Sequence, residues 1–106
     1  MTRKMVLIVL VVFVVAFAPA WSAAQDGAAT FKGKCAMCHA ADGSGKTTMG
    51  EKFGIRDLRS ADVQKQTDAE LAEIVTKGKN KMPAYDGKLT KEQVDQVVAF
   101  IRTLKK

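Results

Sequence analysis

Three residues that can bind metals or form covalent bonds stand almost next to one another in this sequence. Cys35 and Cys38 are separated by two residues, and His39, the only histidine of the 106 residues, follows at once. Thiols are nucleophiles and metal ligands, and a neutral imidazole is a common metal ligand. The group could therefore be a redox-active thiol pair, part of a zinc site, or the attachment point of a covalently bound cofactor.

The spacing favours the third possibility. A thioredoxin-like thiol pair needs a βαβ context, which the sequence does not suggest. A zinc site needs a second pair of ligands, and the chain has no third cysteine and no second histidine. The pattern C-x-x-C-H is typical of c-type haem attachment. We therefore predict one covalently bound haem c, with thioethers to Cys35 and Cys38 and with His39 as an axial iron ligand.

A second axial ligand is sought among the methionines, because thioether sulfur is a known ligand of haem iron. After residue 24 the chain contains Met37, Met49 and Met82. Met37 lies inside the attachment motif and is expected only to pack. Met49 lies ten residues after His39 in a Gly-rich segment, whereas Met82 precedes Pro83, which restrains the backbone. Spacing alone does not decide between Met49 and Met82.

The first 24 residues have the form of a secretory signal. A positive head, Thr2 to Lys4, precedes 14 uninterrupted apolar residues, Met5 to Ala18. Pro19 breaks any helix, and Ser22 to Ala24 provide the small residues that a signal peptidase recognises. We predict a cleaved signal peptide over residues 1–24 and a periplasmic domain over residues 25–106. The alternative is a retained membrane anchor, which the short run argues against because a spanning helix needs about 20 residues.

The sequence after the leader predicts an all-α domain, because helical patterns recur and no long alternation of apolar and polar residues occurs. Asp26 is expected to cap a first helix that runs toward the cysteines. Residues 42–54 are rich in Gly, Ser and Thr and are predicted to form a loop. A short helix is expected at residues 61–66, and residues 80–87 are expected to be irregular.

Two capping boxes mark the starts of the other two main helices. Thr67 with Glu70 opens a helix that Gly78 is expected to end, and Thr90 with Gln93 opens the last helix. We therefore predict three main helices joined by short helices and loops. The last helix has one apolar face, which consists of Val94, Val97, Val98, Ile101 and Leu104.

Two segments resemble the signatures of class I c-type cytochromes, in particular of the small bacterial and photosynthetic electron carriers. One runs from Phe31 to His39, FKGKCAMCH, and the other from Lys81 to Tyr85, KMPAY. The resemblance extends over residues 25–106 and implies the cytochrome c fold around one haem. It also implies that Met82 is the second axial ligand.

The resemblance further implies a close crossing of the first and last helices. It places Gly27 and Phe31 at that crossing, where a glycine lets two backbones approach because it has no side chain. The opposite face would lie on the last helix and consist of Val97, Phe100, Ile101 and Leu104.

The function that the resemblance implies is that of a soluble, monomeric electron carrier in the periplasm and not an enzyme, since two protein ligands leave no open position on the iron. Three other functions are alternatives to a free electron carrier. A catalytic or gas-binding haem protein needs an open sixth position. A haem-free protein would use the cysteines as a redox disulfide. An electron-transfer subunit would belong to a larger membrane complex, and the sequence does not separate it from a free carrier.

The net charge of +6 arises from 17 basic and 11 acidic residues. Without the two basic residues of the leader it is +4, weaker than in a dedicated nucleic-acid-binding protein, so no nucleic-acid partner is expected. We expect redox partner proteins with acidic docking patches, and membrane complexes as candidate donors or acceptors. Lysines that flank the two motifs would surround the exposed haem edge: Lys32, Lys34, Lys46, Lys52, Lys77, Lys79 and Lys81.

The sequence departs from the family pattern in two ways, and each leaves one expected contact of the haem site without an assigned residue. The chain has no proline between His39 and Met82, where the family often has one near the axial histidine. A backbone carbonyl at residues 50–54 is a candidate acceptor for the histidine ring. The only tryptophan, Trp21, lies in the leader, so Arg56 and Lys52 are candidate partners of a haem propionate.

Overall fold

The computed structural model describes residues 11–12 and 20–106. Those residues form six helices and no strand: α1 (Ala20–Lys34), α2 (Ala36–His39), α3 (Thr48–Phe53), α4 (Ala61–Gln64), α5 (Asp68–Lys77) and α6 (Lys91–Thr103). The predicted all-α fold with three main helices is confirmed, since α1, α5 and α6 are the long ones.

Most of the predicted leader lies outside the described residues, and of its apolar run only residues 11–12 lie within them. Among the helices within them, none combines the length and the apolar character that a membrane crossing requires. Cleavage after Ala24 therefore stays a prediction, and the retained anchor stays its alternative.

Helix α1 begins earlier than the sequence suggested. Its first described residue is Ala20, and Asp26 lies exposed inside the helix, so the prediction that Asp26 is the N-cap is wrong. Residues 20–24 include three alanines, and alanine has the highest intrinsic helix propensity. The helix therefore extends through them.

Helix α3 lies inside the segment that was predicted to be a loop, so that prediction is wrong for residues 48–53. The side chain of Thr47 accepts a hydrogen bond of 2.8 Å from the Gly50 amide and caps the helix. Gly54, with a positive φ of 63°, ends it. The short helix expected at residues 61–66 is confirmed as α4.

Both predicted capping boxes are present. Thr67 and Glu70 exchange side-chain and backbone hydrogen bonds of 3.1 Å at the start of α5. Thr90 and Gln93 do the same at the start of α6. Gly78 ends α5, as predicted, and its amide donates to the Ile74 carbonyl. These bonds satisfy amides and carbonyls that helix ends leave without partners.

The crossing of α1 and α6 forms the centre of the core, as the resemblance implied. A Cβ atom on Gly27 would overlap the carbonyl oxygen of Gln96, so the two backbones are in contact there. Phe31 is only 1% exposed, and its ring centroid lies 5.0 Å from that of Phe100. The same cluster contains Val97, Val98 and Ile101 from α6, and also Cys35, Val63 and Leu71.

Replacing Gly27 with alanine should lower the free energy of unfolding by about 2–3 kcal/mol, because the methyl group would overlap the α6 backbone. Gly33 in the same helix has open space where its Cβ would lie. Gly33→Ala should therefore raise the free energy of unfolding by about 0.5–1 kcal/mol through helix propensity. Urea denaturation measures both values. Equal effects at the two positions would contradict a crossing at Gly27.

Candidate functional site

A cavity of about 290 Å³ lies between the helices and the segment that joins α5 to α6. Cys35, Cys38, His39 and Met82 all line it. Most of the remaining wall is apolar and comes from five of the helices, through residues that include Phe31, Phe53, Val63, Leu71, Val97 and Ile101. The structure therefore brings together all four residues that the sequence analysis singled out.

The two cysteines and the histidine meet at this cavity because α1 and α2 follow one another almost without a break. Cys35 is buried at their junction, and its amide donates to the Phe31 carbonyl at 2.8 Å. The carbonyl of Cys35 in turn accepts the His39 amide at 2.9 Å. One helical turn thus brings both thiols, which are free, and the imidazole to the same cavity.

Burial changes the protonation of these groups. It raises the pKa of the Cys35 thiol to about 11, against the opposing effect of the Lys34 charge. It lowers the pKa of His39, which keeps the imidazole neutral and able to bind a metal. Nδ1 of His39 is buried and has no hydrogen-bond partner among the described residues. The acceptor that was expected at residues 50–54 is therefore not bonded to this atom.

These features fit a covalently bound haem. Apolar walls suit a porphyrin, the two free thiols are the groups that form thioethers, and a neutral imidazole is the group that ligates iron. A buried nitrogen without a partner is costly unless a ligand or a hydrogen bond satisfies it. At this cavity Nδ1 of His39 is such an atom, and it needs a hydrogen-bond acceptor when the other ring nitrogen, Nε2, ligates iron.

Met82 reaches the cavity through a tight turn after α5. Lys79 and Met82 exchange two backbone hydrogen bonds of 3.1 and 2.9 Å, and Asn80 between them has a positive φ of 54°. Gly78 also has a positive φ, and a Cβ there would lie 2.6 Å from the Met82 carbonyl oxygen. Met49 belongs to α3 and is not among the residues that line the cavity. The placement favours Met82, whose ligation of iron stays a prediction.

The sequence analysis missed two residues that support the attachment motif. The hydroxyl of Thr47 donates to the Cys38 carbonyl at 2.9 Å, so α3 is fastened to α2. A Cβ on Gly50 would lie 2.5 Å from the same carbonyl oxygen, so only glycine permits this approach. The abundance of Gly and Thr in this segment was visible in the sequence, but the carbonyl that they meet was not.

The lysines near the two motifs separate into groups. Lys34, Lys79 and Lys81 line the cavity, together with Arg56. Lys77 instead forms an ion pair of 2.9 Å with Glu73. The ammonium of Lys52 lies 5.7 Å from the centroid of the Phe53 ring and is not part of the lining. Arg56 is therefore the better placed of the two candidate partners of a haem propionate.

Comparison with known proteins agrees with this geometry. Residues 22–101 match the family model described as "Cytochrome C oxidase, cbb3-type, subunit III". Cytochrome c6 from a Nostoc species is 37% identical over 104 residues, which cover 92% of this chain and 87% of that protein. The chain belongs to the class I c-type cytochromes. Cytochrome c6 from Thermosynechococcus vestitus is 35% identical over 88% of this chain and 82% of its own.

A solved structure supports the same assignment. The KustC0563 c-type cytochrome superimposes with a TM-score of 0.71 and is 34% identical, over 76% of this chain and 99% of that one. This cytochrome accordingly carries one covalently bound haem c. It is an electron carrier that works with redox partners rather than an enzyme.

Replacing Gly78 with alanine should disturb the segment that carries Met82, because the new methyl group would press on the Met82 carbonyl. The weak far-red band of sulfur-ligated ferric haem should lose intensity. Gly87 is the control, since it also has a positive φ but has open space around its Cβ position. Gly87→Ala should cost about 1–2 kcal/mol of stability and leave the band unchanged. A full-strength band in Gly78→Ala would show that this contact does not position Met82.

Proposed function

We propose that this chain is a periplasmic electron carrier whose haem c is bonded to Cys35 and Cys38 and whose iron is ligated by His39 and Met82. The observation that carries the proposal is that one apolar cavity is lined by all four side chains. When bound, the haem supplies an iron that gains and loses one electron.

The protein's own contribution is to hold two ligands in place and to exclude water. His39 lies in a helical turn that the Cys35 carbonyl closes, and Met82 lies in a turn that Lys79 closes. Two fixed ligands leave no position for oxygen or peroxide, which suits electron transfer rather than catalysis. A methionine ligand also raises the reduction potential relative to a harder donor.

Two candidate settings for such a carrier remain, a free protein and a subunit of a larger complex. The description of the matching family model, an oxidase subunit, favours the second. The similar proteins favour the first, because the chain spans 87% of the Nostoc cytochrome c6 and 99% of the KustC0563 chain. We propose the free monomer. Size-exclusion chromatography of the exported protein at native expression level decides, since a subunit would elute with its complex.

The periplasmic location rests on the leader. Its positive head, its apolar run and the small residues from Ser22 to Ala24 have the order of a secretory signal. Haem attachment also requires both thiols outside the cytoplasm. Amino-terminal sequencing of the exported protein tests the proposal, and a start at Gln25 is expected.

Lysines at the cavity should attract acidic redox partners. Lys79→Gln combined with Lys81→Gln should slow oxidation of the ferrous protein by ferricyanide, a trivalent anion, about 3–10-fold at low salt. The difference should shrink as salt is added, because exposed charges are then screened. Lys91→Gln combined with Lys105→Gln removes the same charge away from the cavity and is the control. Equal slowing by both pairs would mean that only net charge matters.

The axial ligand provides the direct test of the proposed function. Met82→Ala should remove the far-red band of the ferric protein, lower the reduction potential and let carbon monoxide bind the ferrous protein readily. Met49→Ala is the matched control and should do none of these, since Met49 lies outside the cavity lining. Absorption spectra with and without carbon monoxide and a redox titration measure the outcome. If neither variant changes the spectrum, thioether ligation is wrong and the site is open to other chemistry.

A further inference from the structure

The side chain of Tyr85 connects two parts of the chain that lie 51 residues apart. Its hydroxyl donates a hydrogen bond of 3.0 Å to the carbonyl of Lys34. Tyr85 lies three residues after Met82, and Lys34 directly precedes Cys35. The bond therefore joins the segment that carries the proposed sixth ligand to the helix end that leads into the haem attachment motif.

The Lys34 carbonyl is available because α1 ends at this residue. The last carbonyls of a helix have no partner within it. The amide of Cys38, which would bond to Lys34 if the helix continued, donates instead to the Cys35 carbonyl at 3.2 Å. The tyrosine hydroxyl thus supplies a donor at a carbonyl that the break between α1 and α2 leaves open.

The rest of Tyr85 is held firmly, so the position of its hydroxyl is determined. Its amide donates to the Val75 carbonyl at 3.1 Å, and its own carbonyl accepts from the amides of Lys88 and Leu89. Its ring packs, together with Met82, against the cluster of Val75, Leu89 and Val94. Tyr85 and Met82 therefore share one small core, and a movement of either disturbs the other.

We propose that Tyr85 is a positioning residue that latches the Met82 segment to the end of α1 and so keeps Met82 on the iron in competition with external ligands. This inference rests on the proposed ligation by Met82. For an external ligand to take its place, the segment has to move away from α1, and the Tyr85 hydrogen bond has to break. Without that bond the open form becomes more populated, and external ligands bind with higher apparent affinity.

The test uses the haem-loaded ferric protein and imidazole as the external ligand. Tyr85→Phe keeps the ring and removes only the hydroxyl. It should bind imidazole about 3–10-fold more tightly, the factor that corresponds to one hydrogen bond of ordinary net strength. Thr76→Val is the matched control, because the Thr76 hydroxyl bonds within α5, to the Ala72 carbonyl, and does not reach α1. It should bind imidazole as the wild type does.

A second readout does not depend on an added ligand. Hydrogen exchange at the Met82 amide, which bonds to the Lys79 carbonyl, should accelerate in Tyr85→Phe by a similar factor and stay unchanged in Thr76→Val. Wild-type imidazole affinity in Tyr85→Phe, with the far-red band intact, would overturn the latch and leave Met82 ligation standing. Equal gains in the two variants would overturn it as well, because they would indicate a general loss of stability. Absence of the far-red band in the wild type would overturn the proposed ligation, and the latch with it.

Discussion

The contact of two backbones at the α1–α6 crossing is the constraint on which the rest of the structure depends. Because Gly27 has no side chain, α1 can lie directly against the carbonyl of Gln96. That approach encloses Phe31 between the helices, where it is almost completely buried. Phe31, Val97 and Ile101 belong both to this core and to the cavity wall. The helix interface therefore forms one wall of the haem site, and α1 ends at Lys34, directly before Cys35.

The opposite side of the site has a different construction. Between α5 and α6 the chain has little regular structure, and a few hydrogen bonds hold it in place. Lys79 pairs with Met82, the Asp86 amide donates to the Thr76 carbonyl, and the Tyr85 hydroxyl reaches α1. A segment held this way opens more easily than two helices in close contact, so we expect local opening here before global unfolding. One wall of the site, which carries Cys35, Cys38 and His39, is thus built on helices in close contact. The stability of the opposite wall depends on a few individual hydrogen bonds.

The distribution of charged side chains differs between the cavity and the rest of the molecule. Away from the cavity, several acidic and basic side chains form ion pairs. The Arg59 guanidinium bonds to Asp57 and holds the pKa of that carboxyl well below its usual range. Arg102 likewise joins α6 to Asp68 at the start of α5. At the cavity, by contrast, the lining residues include three lysines and an arginine but no acidic residue. A positive potential at the cavity follows from that arrangement.

The sequence by itself determined what depends on neighbours along the chain. The two capping boxes and the end of α5 at Gly78 involve residues within a few positions of each other, and local geometry fixes them. The same short-range reasoning failed where local signals compete: Asp26 could cap a helix, but the alanines before it extended that helix instead. It failed again at α3, where one threonine cap outweighs a composition typical of loops.

Only the tertiary structure decided which distant residues meet. From the residues alone, Met49 and Met82 were equal candidates, and the resemblance to a family supplied the preference. The turn closed by Lys79 brings Met82 to the cavity, whereas Met49 belongs to α3, outside the lining. No feature of the sequence predicted the hydrogen bonds from Thr47 to Cys38 and from Tyr85 to Lys34. Each joins a side chain to a backbone carbonyl, and since every residue has a carbonyl, the identity of the acceptor residue carries no information that the sequence could reveal.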